Sequence, residues 1–223
     1  MISKLLDSLE RRYGKHRGIR NLMSIVVIGT VIVYLADYFF PVFAGRSLSS
    51  YLYFSKDRIL AGEFWRVATF IFVPGGSNLL LLAIGLYFDW FMGEMLQNYW
   101  GTLRFTLFYT IGMLGAVISG CITGYTTAYY LNMSLMLAMA CISPDMQLRL
   151  YGMLNIRLKW LALASLVMML LPMLNAGSWQ EPLALVAALI NVILFFADKM
   201  IGQVQQYWRH YQWKKGWRSG WKR

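Results

Sequence analysis

Apolar residues run through this chain in six long blocks, at 22–43, 78–97, 104–126, 128–143, 158–175 and 182–201. A helix needs ~20 mainly apolar residues to cross the hydrocarbon core of a bilayer, so the blocks predict six membrane-spanning helices. The fourth is the shortest, its most apolar part (131–142) lying between Tyr129-Tyr130 and Ser143-Pro144-Asp145. A span that short must thin the bilayer or be sheltered by its neighbours. The first block is long, begins well past Met1 and ends without a clear small-residue cleavage site, so it should remain as a span rather than act as a cleaved signal. The fold class that follows is an all-α polytopic membrane protein. A six-helix domain at 22–201 lies between a leader at 1–21 and a tail at 202–223.

The polar and aromatic stretches between the blocks carry their own patterns. In the leader, Ile2, Leu5, Leu6, Leu9 and Tyr13 share one helical face while Lys4, Arg11 and Arg12 lie on others. This suits an amphipathic helix on the inner leaflet, or equally a basic leader that only sets orientation. Residues 44–77 form a long connection with Tyr51, Tyr53, Phe54, Phe64, Trp65, Phe70 and Phe72, broken by Pro74-Gly75-Gly76. Its length predicts local structure of its own, and its aromatics predict a position in the membrane interface. In the tail, Trp213, Trp217 and Trp221 recur every four residues among Lys and Arg. That predicts docking on the inner leaflet, with a site for a cytoplasmic partner or a simple topology anchor as alternatives.

Composition agrees with the pattern: 58% of residues are hydrophobic and the mean hydropathy is +0.49. The net charge of +11 is foremost a topology signal. Of 21 Lys and Arg residues, only Arg46, Lys56, Arg58 and Arg66 fall in the first outside loop; the other 17 lie in the tails or in the loops at Arg104, Arg149, Arg157 and Lys159. The positive-inside rule therefore places both termini in the cytoplasm. Charges confined to short tails on so apolar a chain exclude nucleic acid as the natural partner; membrane lipid is the partner implied. Cys121 and Cys141 fall within blocks and suggest neither a disulfide framework nor a metal cluster, and no cofactor is indicated.

Inside the third block Gly112, Ala116, Gly120 and Gly124 form a small-residue stripe that predicts close packing with another helix. Ionisable and polar groups within spans are costly and mark candidate sites. Asp37 lies near the outer end of the first block, Asp89 deep in the second and Glu94 at its inner end. Asn132 and Ser134 sit in the fourth block and Asn191 in the sixth. Asp89, Asn132, Ser134 and Asn191 are the candidate intramembrane polar site, either as helix-bridging hydrogen bonds or as part of an ion pathway. Peptide hydrolysis by Ser134 would need a base within reach. His16 and His210 are in the cytoplasmic tails, and Lys199 is at the wrong end of the last block.

Three motifs in order carry a family resemblance. They are Trp65-Arg66 within 62–69, Gly93-x-x-Leu96-Gln97-x-x-Trp100-Gly101-x-x-Arg104-Phe105, and Tyr151-Gly152-Met153-Leu154-Asn155-Ile156-Arg157-Leu158-Lys159-Trp160-Leu161. Together they resemble the rhomboid superfamily, which spans intramembrane serine proteases, their inactive relatives and the derlins. The resemblance covers about 62–198. It implies a rhomboid-like six-span bundle with a membrane-embedded first outside loop. It also implies where a protease site would be, and this chain departs from it throughout. Gln97 stands where the family has Glu. Asn132-Met133-Ser134-Leu135 lacks both glycines of the serine motif, and the serine position counted back from Pro144 falls at Tyr129 or Tyr130. Ala184, Ala187 and Asn191 fall on the His, Gly and Gly of the last span, and Leu81 and Gly85 on the oxyanion-stabilising His and Asn.

The resemblance therefore implies a pseudoprotease, distantly derlin-like, that binds transmembrane segments of client proteins through the loop and the gap between spans two and five. Such a protein would act in membrane protein quality control or regulation. Small size and short loops suggest a bacterial inner membrane. Two alternatives stand beside this reading: an atypical protease using Ser134, and a small transporter or channel using Asp89, Asn191 and Asn132. Six spans without an internal repeat speak against the transporter.

Overall fold

The computed structural model describes residues 18–44, 47–76, 78–150, 154–175 and 182–196, with Ser8, Arg12 and Gly14 besides. Most of the amphipathic leader and the whole aromatic tail lie outside the described residues, as do His16, Asp198, Lys199 and His210. Helices dominate. Following chain order they are α1 (Leu22–Ala44), α2 (Ser49–Leu52), α3 (Lys56–Leu60), α4 (Arg66–Thr69) with a 3-10 turn at Phe70–Phe72, α5 (Leu79–Trp100), α6 (Thr102–Thr123), α7 (Tyr129–Ile142), α8 (Leu158–Asn175) and α9 (Pro182–Phe196). Each of the six apolar blocks forms one helix. Leu22–Phe39, Leu79–Trp100 and Thr102–Thr123 are long and apolar enough to cross a membrane; Tyr129–Ile142, Leu158–Leu170 and Pro182–Phe196 are apolar but shorter.

The helix ends are chemically specified. Asn78 caps α5 by accepting from the amides of Leu80 and Leu81, two donors that a helix start leaves orphaned. At the other end Gly101, with φ of 90°, stops α5 and releases the chain into α6 one residue later. Only glycine adopts that conformation without strain. A loop expected between the second and third blocks is thus a single residue. Arg104, expected in it, lies in the first turn of α6. Gly124, also at φ of 90°, ends α6 with its amide on the Gly120 carbonyl, which is why the helix stops short of 126.

An all-helical bundle needs one correction. Gln147–Leu150 and Leu154–Arg157 form an antiparallel hairpin, with Leu148 opposite Ile156 and Arg149 opposite Asn155. Both segments alternate polar and apolar residues, the period-two signal of a strand. Arg149 and Arg157 are therefore strand residues, and α8 begins directly where the second strand ends.

The short α7 is the hub. It packs against α5, α6 and α8, and Leu131, Leu135, Ala138 and Met139 are buried on it. Neighbours shelter a helix too short to span on its own. Around it the residues of the second motif hold the end of the bundle where α5 meets α6. Gly93 lets Met23 of α1 lie directly on α5, and Leu96 and Phe105 are fully buried. Trp100 stacks among Phe108 of α6 and Phe195 and Phe196 of α9, with centroids at 5.6, 5.8 and 4.9 Å. Burying so much aromatic surface joins the end of α5 to the last helix.

Candidate functional site

The first loop has the local structure its length predicted, and it is built around α2. A helix end leaves its last carbonyls without partners. Here the carbonyls of Ser50, Tyr51, Leu52 and Tyr53 each accept a side-chain donor from one turn of chain. Arg66 Nη1 donates to Ser50 and Tyr53 at 3.1 and 2.9 Å, Trp65 Nε1 to Tyr51 at 3.3 Å, and Thr69 Oγ1 to Leu52 at 3.1 Å. The opposite end of α2 is held by Asp37 of α1, whose carboxylate accepts from the Ser49 amide at 2.9 Å.

Arg66 is 1% exposed and its Nε is 2.5 Å from Glu63 Oε2, so its charge is neutralised on the spot. The hydrogen bond from Arg66, with Arg58 adding to it, holds the Glu63 carboxyl below the usual carboxylate range. Two contacts of Phe54 close the loop on itself and seat it on α6. Phe54 rests edge-to-face on Phe70, and a side chain at Gly120 would strike the Phe54 ring at 2.6 Å. Meanwhile Phe64, Trp65 and Leu60 remain exposed, an apolar rim on the loop.

The polar residues within the helices form separate bonds. Asn132 Nδ2 of α7 donates to Asp89 Oδ2 of α5 at 2.9 Å, and the Tyr109 hydroxyl of α6 lies 3.4 Å from Asn132 Oδ1. Asn191 Nδ2 of α9 donates to the Phe108 carbonyl of α6 at 3.1 Å, an approach open because Gly112 has no side chain there. Ser134 is fully buried and donates to the Leu131 carbonyl of its own helix at 2.5 Å. So Asp89 and Asn132 meet, whereas Asn191 and Ser134 each serve a different contact.

Of the small-residue stripe, Gly112 lies against Leu131 and Asn191, Ala116 is buried, and Gly120 meets Phe54 and Thr126. The partner at Gly120 is thus the loop and the turn before α7, not a second long helix. Gly124 has open space around it and serves as the left-handed helix terminator instead.

Positions that the protease resemblance pairs do converge. Tyr130 of α7 and Ala184 and Ala187 of α9 line one crevice with Gly112 and Ala116 of α6. It is a small crevice, with room for roughly one water. Thr126 Oγ1 on its wall and Asn191 Oδ1 nearby in sequence to the α9 wall are buried without partners among the described residues. Tyr130, Ala184 and Ala187 stand on the crevice walls at the positions the resemblance pairs, beside the hydroxyl-bearing Thr126 and Thr127.

The first half of α5 is exposed. The buried residues of this helix, Met92, Gly93, Leu96, Gln97 and Trp100, all belong to the C-terminal half. Leu79, Leu80 and Leu81 are 63, 69 and 68% exposed, and a side chain built at Gly85 would meet nothing within 4 Å. Helices α5 and α8 both pack on α7 but touch each other at most marginally among the described residues. The N-terminal half of α5 therefore carries no buried residue, and Asp89, bonded to Asn132 of α7, lies at the end of that half. Sequence reasoning named Asp89 but missed this exposure, since consecutive leucines in an apolar block look alike whether they face a helix or lipid. It also missed the partnering roles of Asp37, Glu63 and Thr69, for which only local spacing (Glu63 three residues before Arg66) gave a hint.

A family model described as eukaryotic integral membrane protein (DUF1751) matches residues 20–196. No curated protein and no solved structure matches the chain. The family's description departs from the bacterial inner membrane expected from size and loop length; what stands is an integral membrane protein.

Proposed function

The chain belongs to the eukaryotic integral membrane protein (DUF1751) family, a rhomboid-like membrane family, and from that premise we propose that it is a non-catalytic binder of transmembrane segments in other membrane proteins. The observation that carries the reading is the exposed first half of α5, on the far side of Asp89 from its buried half. An apolar helix end exposed on several faces, with open space at Gly85, suits a second helix lying there in lipid. The exposed rim of Phe64, Trp65 and Leu60 would meet the same segment at the membrane interface. Regulation or quality control of membrane proteins is the role such binding serves.

The proposal includes six spans with both termini in the cytoplasm, on the charge distribution, and a pseudoprotease centre. Ser134 spends its proton on a carbonyl in its own turn, and the crevice that unites the expected catalytic positions is lined by Tyr130, Ala184 and Ala187. Against an ion pathway, Asp89 and Asn191 engage different partners rather than each other. The aromatic tail, with its possible cytoplasmic partner, stays part of the proposal on sequence grounds alone.

The test is site-specific photocrosslinking in native membranes. Probes at Leu80 and Phe64 should capture segments of other membrane proteins, while a probe at Leu135, in the core, should capture none. Lipid alone captured at Leu80 and Phe64 overturns the binding role. An engineered cysteine at Ser219 that reacts with impermeant reagent from the non-cytoplasmic face overturns the topology.

A further inference from the structure

Asp89 is a carboxylate midway along a membrane helix, where an ionisable group is expensive unless it has a partner. Its hydrogen bond among the described residues runs from the Asn132 amide to Oδ2. Tyr109 lies against the amide oxygen of Asn132, which leaves the amide nitrogen to point at Asp89. The described ion pairs are Arg58 with Glu63, Arg66 with Glu63 and Lys159 with Asp145, all outside the long apolar helices or at their ends. Asp89 thus has a dipole to lean on but no described cation. One turn earlier on the same face, Gly85 opens onto empty space, and a further turn away Leu81 is 68% exposed. Beyond the carboxylate, toward the start of α5, this face is therefore open at Gly85 and exposed at Leu81.

We propose that Asp89 selects client transmembrane segments bearing a lysine or arginine near their middle. The inference rests on the client-binding reading above and adds its specificity. A basic residue in a single-span helix has the complementary problem, a cation in hydrocarbon without an anion. Gly85 lets the backbone of an incoming helix approach α5 closely, as small residues do at membrane helix contacts, so a long basic side chain can reach down to Asp89. Asn132 then holds the carboxylate in place as the cation arrives. An acidic client residue would meet repulsion at the same spot.

The experiment uses the full chain in proteoliposomes with three single-span peptides of leucine and alanine. They are identical except for Leu, Lys or Asp at the midpoint, and each carries a photocrosslinker one turn away. The Lys peptide should reach half-maximal crosslinking at about a tenfold lower mole fraction than the Leu peptide, a difference of ~1.4 kcal/mol. The Asp peptide should do no better than Leu. Asp89→Asn should erase the Lys advantage, so that the Lys and Leu peptides reach half-maximal crosslinking at the same mole fraction. Gly85→Phe, which leaves Asp89 and Asn132 intact, should weaken all three and remove the Lys advantage, because the basic side chain no longer reaches Asp89; it replaces Asp89→Asn if that variant fails to melt cooperatively. If the Leu and Lys peptides bind equally, selection by Asp89 is wrong and client binding stands. If a Lys advantage survives both variants, it comes from the lipid and the inference fails. If no peptide crosslinks, both readings fall together.

Discussion

Arg66 grips Tyr53 twice: its guanidinium lies over the phenol ring at 5.0 Å and donates to the Tyr53 carbonyl at 2.9 Å. A planar cation can satisfy both at once because its charge is delocalised over the face that stacks while its edge carries the donors. This pair ties the end of α2 to the start of α4 and makes the first loop a folded unit.

Arg66→Ala should therefore lower stability by ~3 kcal/mol, since it strands buried carbonyls and leaves Glu63 without its main partner. Arg66→Lys should recover only part, because an ammonium cannot serve Glu63 and two carbonyls in a fork geometry. Thermal unfolding in detergent micelles measures both; an unchanged midpoint in Arg66→Ala would show that the loop does not depend on this clamp.

Acidification should loosen the same loop. The Glu63 carboxyl is held below its usual range in the fold, so its contribution is fully present above the unfolded pKa of ~4.3 and is lost as pH falls through the lower folded value. Trp65 fluorescence followed from pH 6 to pH 2.5 should change in that lower window and not near neutrality. Glu63→Gln should remove the transition, and a transition that persists in Glu63→Gln belongs to another group.

Gly120→Leu should be far more damaging than Leu114→Ala. A side chain at Gly120 strikes Phe54 at 2.6 Å and Thr126 at 2.9 Å, whereas Leu114 is 51% exposed. Overpacking of this kind costs about 1–3 kcal/mol. Gly124→Ala should cost about 1 kcal/mol for a different reason, the left-handed backbone at a site with ample space. Melting curves that rank Leu114→Ala as the worst of the three would mean that the loop does not sit on α6.

No peptidase activity is expected. A serine needs a base to shed its proton, and that assistance is worth roughly 10²–10⁴-fold on its own. The purified protein should not react with a serine-directed fluorophosphonate, and Ser134→Ala should melt within ~1 kcal/mol of the parent because it gives up only a bond within its own helix turn. Labelling that vanishes in Ser134→Ala would reinstate the protease.

By itself the sequence determined six apolar helices and a first loop long enough to need structure of its own. These follow from local properties of the chain, its apolar runs and the length of its connections. The alternation at 147–150 and 154–157 was equally local, and reading those residues as loop missed a hairpin that was there to be found. Only the tertiary structure decided what faces what. Helical spacing put Gly112, Ala116 and Gly120 on one face, but whether α7, α9 or Phe54 of the loop would fill it depends on elements far away in the chain. Likewise nothing in Leu79, Leu80, Leu81 and Gly85 distinguishes a packed helix end from an exposed one. In a solvent as apolar as the side chains, burial inside protein and exposure to lipid favour the same residues, so the exposure of this half of α5 is seen only in three dimensions.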